Sequence, residues 1–277
     1  MRIPNQYVFP DFDRLSVVAA TIMLAYAMTR YLAIEPIGLS YQFIGIQFAF
    51  QINFKTIVSI LVAGLAAAGS DWLLRDHPVM KQAYKNWRST LQHWILPGLT
   101  AWVIGVPLNN LSTSPDWWII FGMGGVLLVL VFIAEYSVVD VSDIQHPLAT
   151  IGLTAISFAL FLILAIAVRS ADFRLYLMFP ALFVAIWLVS LRALYLRLNG
   201  RWFFLWATII AAVIGQISMA LHYWPLQPVR FGLLLLGPAY ALTNIAGNMQ
   251  SGKPWRKWVL EPAVMLLMIW AFAFWLA

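Results

Sequence analysis

No cysteine occurs among the 277 residues. Disulfides, iron–sulfur clusters, thiolate zinc sites and cysteine nucleophiles are thereby excluded together, and only carboxylate, imidazole or amide groups remain as metal ligands. Charge is nearly as scarce: charged residues make up 10 % of the chain against 62 % apolar, where a soluble domain carries about 25 % charged residues. No lysine interrupts a long apolar run. What is present is nine apolar stretches, at 15–34, 56–74, 91–108, 117–138, 147–168, 175–195, 202–221, 231–249 and 258–275. Each is close to the roughly 20 residues needed to cross a hydrocarbon core of about 30 Å. The expected fold is all-α: a polytopic transmembrane helical bundle of about nine spans. Short connections that hold most of the charge predict a single integral membrane domain over 1–277. Ala25-Tyr26-Ala27 resembles a signal-peptidase site, but the reading adopted is an uncleaved first span. Pro97, Pro180 and Pro238 fall in or near spans, where neighbouring groups must offset the missing N–H.

The net charge of +6 is a topology signal rather than a nucleic-acid footprint. With a cytoplasmic N-terminus, twelve of the 17 Lys and Arg fall on the inner side and five on the outer, as the positive-inside rule requires, and nine spans then place the C-terminus outside. Tryptophan prefers the headgroup level and forms two belts: Trp72, Trp87, Trp94, Trp202, Trp206, Trp255 and Trp258 inside, Trp117, Trp118, Trp224 and Trp275 outside. Trp102, Trp187 and Trp270 lie deeper, where they pack helix against helix or line a lipid site. Bacterial cytoplasmic (inner) membrane is the expected location, with membrane lipids and other membrane subunits as partners and no nucleic acid.

The longest outer connection contains Ile46-Gln47-Phe48-Ala49-Phe50-Gln51-Ile52-Asn53-Phe54, apolar at every second position. That is the period of a strand, so a short extended segment over 46–54 is expected on the outer face, packed over the bundle mouth or presenting an edge for pairing. Small residues cluster at Ala63, Gly64, Ala66, Ala67, Ala68 and Gly69, and at Gly122, Gly124 and Gly125, permitting close helix approach. Arg174…Asn199-Gly200-Arg201-Trp202 and Arg230…Ser251-Gly252-Lys253-Pro254-Trp255 echo one another, each crossing from an outer loop to a basic, tryptophan-bearing inner turn. Shared topology accounts for the echo.

Polar residues gather on the inner side. Glu135, Asp140, Asp143 and His146 form an inner connection without Lys or Arg, a candidate ligand or base set for metal-assisted chemistry on a lipid headgroup. The competing reading is structural: the aspartates end one helix and introduce the next, with Pro147 at the helix start. Asp71, Asp76, His77 and His93 are alternative metal ligands or a supporting shell. Asp71 and Arg75, four apart, also suit a local ion pair, and His93 a fastening contact. Cofactor identity is open, with pigment or haem at His93 or His222 as options. Glu261, one turn into the last span, is expensive to bury without a partner. Arg192 is its candidate partner, and Asn244 and Asn248, four apart on one helix, complete an intramembrane polar cluster. That cluster reads as an interhelical fastener or as an ion relay.

Asp71-Trp72-Leu73-Leu74-Arg75-Asp76-His77-Pro78, His93-Trp94-Ile95-Leu96-Pro97, Ala134-Glu135-Tyr136-Ser137-Val138-Val139-Asp140 and Leu221-His222-Tyr223-Trp224-Pro225-Leu226 resemble an uncharacterised bacterial family of multi-pass membrane proteins, which implies the fold but no activity. Intramembrane aromatic prenyltransferases need acidic motifs after both the second and sixth spans; here Asp71 and Asp76 lie by the second-to-third connection, but the sixth-to-seventh carries Arg192, Arg197 and Arg201 and no acid. The paired histidines of seven-helix zinc hydrolases and the intramembrane lysine of microbial rhodopsins are missing. Three readings follow: a non-catalytic structural or accessory subunit of a membrane assembly, a metal-assisted lipid-modifying enzyme, or a small-solute or lipid transporter. The first is preferred, because no motif selects a reaction.

Overall fold

A computed structural model describes residues 10–32, 37–43, 46–52, 54–75, 77, 80, 90–111, 115–140, 146–198 and 200–276. In chain order these form α1 (Phe12–Tyr31), β1 (Ile37–Phe43), β2 (Ile46–Ile52), α2 (Phe54–Leu74), α3 (Gln92–Asn110), α4 (Pro115–Ser137), α5 (His146–Ser170), α6 (Leu175–Arg197), α7 (Phe204–His222), α8 (Pro228–Gln250) and α9 (Trp255–Trp275). Each expected span coincides with one helix to within a turn. Eight of these helices are long and apolar enough to cross a bilayer, so the chain is a multi-pass membrane protein built as a helical bundle. The exception is α3, whose 19 residues include Gln92, His93, Thr100, Asn109, Asn110, Pro97 and Pro107. Its position explains its composition: it packs between α2 and α4, and ten of its residues are buried. A helix enclosed by other helices has little need of a lipid-facing apolar stripe.

The chain divides into two compact units, Met1–Val139 and Asp140–Ala277. The first unit gathers α1 to α4 around Leu15, Ile22, Tyr26, Val62, Ala66, Ala101, Ile104, Leu128 and Phe132. Polar side chains cross between its helices at several levels. The Tyr26 hydroxyl donates to the Ala101 carbonyl, Asn109 Nδ2 donates to Ser59 Oγ at 2.9 Å, and Trp117 Nε1 donates to the Leu108 carbonyl at 3.2 Å. Tryptophan and arginine meet at both ends of the unit, with Arg14 5.1 Å from the Trp72 ring centroid and Arg30 4.8 Å from that of Trp117. These are the belt residues anticipated from composition, and each stacked guanidinium covers a ring while keeping its charge near the headgroup level. Close approach is real at Gly69, where a Cβ would lie 2.4 Å from Val18 Cγ1, whereas Gly64 and Gly122 face open space.

Between α1 and α2 the chain forms an antiparallel hairpin. Its register pairs Ile37 with Ile52, Leu39 with Phe50, Tyr41 with Phe48 and Phe43 with Ile46. Apolar positions therefore meet apolar positions along the ladder, which fixes the register. The expected extended segment ends at Ile52 rather than residue 54, because α2 starts at Phe54.

The second unit is built on α5, α6 and α8, with α7 against α6 and α8 and with α9 laid chiefly on α8. Leu153, Leu160, Phe161, Leu164, Leu182, Ile186, Ile210, Ile214, Phe231 and Leu235 fill its interior. The two echoed turns use one device. Gly200 (φ +78°) and Gly252 (φ +68°) follow α6 and α8 in the left-handed conformation, which glycine adopts without a Cβ penalty. The chain can then turn back so that the Gly200 N–H reaches the Tyr195 carbonyl and the Lys253 N–H that of Asn248. Two of the deep tryptophans join helices: Trp187 Nε1 donates to Thr208 Oγ1 on α7 at 3.1 Å, and Trp270 Nε1 to the Leu234 carbonyl on α8 at 3.3 Å.

Candidate functional site

In the first unit, sequence-selected residues from two different segments come together where α2 and α4 end and α3 begins. His93 Nδ1 lies 2.7 Å from Glu135 Oε2, with side-chain exposures of 2 % and 1 %. Gln92 Nε2 lies 2.9 Å from His93 Nε2. An amide nitrogen only donates, so the Nε2 side of the ring accepts and the ring proton sits on Nδ1, aimed at the carboxylate. The His93 carbonyl receives the Ser70 hydroxyl at 2.8 Å, and the buried His77 ring meets Tyr136 edge-on at 4.7 Å. Three helices and the segment after α2 are thus stitched at one level by a buried polar cluster. Such a cluster holds helices in register because every alternative pairing strands a buried polar group.

Asp71 pairs with Arg75 at 3.2 Å, as their spacing requires. Asp140, half-buried, follows α4, and His146 opens α5 immediately before Pro147, which matches the reading of this segment as a helix end and a helix start. Glu135 falls in the first unit, Asp140 and His146 in the second; Asp76 and Asp143 lie outside the described residues. Among the described residues, no three His, Asp or Glu side chains are grouped to hold a metal ion. As for pigment or haem ligation, both ring nitrogens of His93 already face protein partners. His222 closes α7, and its buried Nδ1 has no hydrogen-bond partner among the described residues.

The second unit carries a different cluster from the one expected. The Arg197 guanidinium, at the last residue of α6, donates through Nη1 to Asn244 Oδ1 and through Nη2 to Asn248 Oδ1 on α8. Arg192 is fully buried one turn earlier, with its guanidinium carbon 5.7 Å from the Tyr195 ring centroid. Glu261 does not join either arginine. It is exposed on α9, because α9 presents that face away from α8, and no described residue pairs with it. Asn244 and Asn248 thus meet Arg197, while Arg192, the expected partner of Glu261, lies beside Tyr195.

The amino-acid sequence alone gives Arg197 no place in this cluster. The signal that picks it out is Gly247, lying between the two asparagines: a Cβ there would stand 2.7 Å from Arg197 Cδ, so the arginine stem rests directly on the α8 backbone. Beside this clamp, a cavity of about 390 Å³ opens between α5, α6 and α8, with Thr150, Thr154, Phe158, Leu194, Arg197 and Tyr240 on its walls. At the opposite end of the unit, a cavity of about 290 Å³ includes Arg169, Asp172, Arg174 and His222. There Arg169 is committed to main-chain carbonyls, those of His222 and Trp224 at 3.1 Å among them, and so anchors the α7–α8 turn.

A family model described as "Protein of unknown function (DUF5656)" matches residues 34–276. The chain belongs to that family. The matched stretch runs from just ahead of β1 to the end of α9 and contains both polar clusters, so the resemblance read from the short motifs holds at the level of the family. No curated protein and no solved structure matches the chain.

Proposed function

We propose that this protein is a non-catalytic structural or accessory subunit of a membrane assembly, seated in the cytoplasmic (inner) membrane of a bacterium with its N-terminus in the cytoplasm. The observation that carries the reading is Glu261. It stands exposed on α9, the helix with the least buried span: 11 % of that span is buried, against 56 % for α6 and α8. An ionisable side chain on a bilayer-spanning face is expensive in lipid and ordinarily meets a partner. The occupant that fits is a transmembrane helix of another subunit, apolar along most of its length and carrying a hydrogen-bond donor or a cation opposite Glu261. Val264, Met265 and Met268 are exposed on the same helix and supply the apolar contact.

The other polar side chains agree with this role. His93, Glu135 and Ser70 contact one another's segments, and Arg197 contacts Asn244 and Asn248, so these groups join helices within each unit. Photoreactive residues at positions 264 and 268, introduced into the full chain in native membranes, should crosslink to a second polypeptide, and Glu261→Gln should reduce the yield less than Glu261→Leu does. Crosslinks to lipid alone at both positions would remove the basis for the reading.

A further inference from the structure

The cavity beside Arg197 has a chemistry that helix fastening does not require. No Asp or Glu is among its described lining residues. The two partners of the guanidinium are neutral amides, and no described acid forms an ion pair with it. Asn244 is itself fixed by donating to the Tyr240 carbonyl at 3.0 Å. The clamp therefore orients a full positive charge without neutralising it, and three of the five guanidinium N–H bonds have no partner among the described residues. Tyr240 adds another donor: its ring packs edge-on against Phe158 at 5.3 Å, and its hydroxyl has no protein partner among the described residues.

Depth and shape narrow the ligand. Arg197 ends α6, while Asn244 and Thr150 lie in the last turns of α8 and the first turns of α5, so the charged end of the cavity is at headgroup level. From Thr150 to Phe158 the wall runs about 12 Å along α5 at the helical rise. Ile151, Ala155, Phe158 and Leu194 make this stretch apolar, and Ile151 and Ala155 are exposed on its outer side, which opens the groove sideways. A volume of about 390 Å³ is within the usual range of ligand sites, about 300–1,000 Å³. Basic pockets between spanning helices on the cytoplasmic side suit anionic lipid headgroups, and the excess of Lys and Arg assigns this end of α6 to that side.

We propose that this groove binds an anionic phospholipid, with the phosphate held by Arg197 and the Tyr240 hydroxyl and an acyl chain lying along Ile151, Ala155 and Phe158. The shared chemistry, a phosphate oxyanion, also describes free inorganic phosphate, and the lateral apolar wall is what favours the lipid.

The test uses the delipidated full chain in neutral detergent, titrated with phosphatidylglycerol, phosphatidylcholine or inorganic phosphate and read by intact-complex mass spectrometry and by the shift in unfolding temperature. Phosphatidylglycerol should bind stoichiometrically and raise the unfolding temperature, with the other two ligands weaker. Arg197→Gln should weaken phosphatidylglycerol about 10- to 100-fold, the loss expected for hydrogen bonds to a charged group. Because Arg197 also clamps α8, a second variant keeps the clamp and fills the groove: Ala155→Phe should abolish phosphatidylglycerol binding while leaving the lipid-free unfolding temperature within error of wild type. Arg201→Gln, an exposed basic residue beyond the helix, should bind as wild type does. Equal loss in Arg201→Gln and Arg197→Gln, equal affinity for phosphatidylcholine, or a phosphate effect that matches phosphatidylglycerol and survives Ala155→Phe would each overturn the proposal.

Discussion

Breaking the His93–Glu135 pair perturbs the first unit at a fully enclosed polar contact. Glu135→Ala removes the acceptor for His93 Nδ1–H and leaves an imidazole N–H buried where the native side chains are 2 % and 1 % exposed. Leaving a buried donor unsatisfied costs about 1–3 kcal/mol in soluble proteins, whereas hydrogen bonds between membrane helices average about 0.6 kcal/mol and reach about 1.7. The burial of the site and its 2.7 Å contact place Glu135→Ala in the upper part of the first range, at about 2–3 kcal/mol. Glu135→Gln keeps a carbonyl oxygen in position and should cost about 1 kcal/mol. The assay is reversible unfolding of the full chain in a fixed mixed micelle, run as a double-mutant cycle with His93→Ala. A fastener predicts a coupling energy of about 1–3 kcal/mol, because the double variant removes both members of the pair together. Strictly additive losses, or a Glu135→Ala variant as stable as wild type, would refute the reasoning.

Other outcomes follow from the same geometry. Gly247→Val forces the Arg197 stem off α8 and should lower stability by about 1–3 kcal/mol, an overpacking cost, measurable by the same unfolding assay; Gly64→Val, in open space, should be nearly neutral. Tyr26→Phe removes the hydroxyl contact to the Ala101 carbonyl and should cost about 1 kcal/mol without changing secondary structure by circular dichroism. Phe48→Pro deletes a ladder N–H in β2 opposite Tyr41 and should accelerate amide exchange across residues 37–43 while leaving α3 protected. Cysteine labelling from each side of the membrane, in this otherwise cysteine-free chain, should reach position 2 only from the cytoplasm and position 276 only from outside. Labelling of both from one side would mean that α3 does not cross.

Helix number and position were legible because the apolar stretches are long and the solvent is oil, so length and hydropathy alone fix where the chain crosses. The strand at Ile46–Ile52 was legible for a different reason, its two-residue period. Its partner was overlooked although Ile37, Leu39, Tyr41 and Phe43 carry the same alternation. Side-chain pairing was far less legible. Sequence grouped Glu135 with Asp140, Asp143 and His146 because they are neighbours along the chain, while the fold sends Glu135 to His93, 42 positions away. Arg192 and Arg197 are equivalent by composition. Only the rotation of α6 against α8, and the groove left by Gly247, decide that Arg197 meets the asparagines. Glu261 shows the limit of depth arguments, since sequence gives an acid's level in the bilayer but not the compass direction of its helix face.

Membership of an assembly is tested most directly by the mass of the intact particle. Extracted from native membranes with the mildest detergent that solubilises it, the 31.3 kDa chain should be recovered in a complex with at least one further polypeptide, and Glu261→Leu should shift the population toward the free chain. A homogeneous particle of one chain plus lipid, unchanged by Glu261→Leu, would contradict the account.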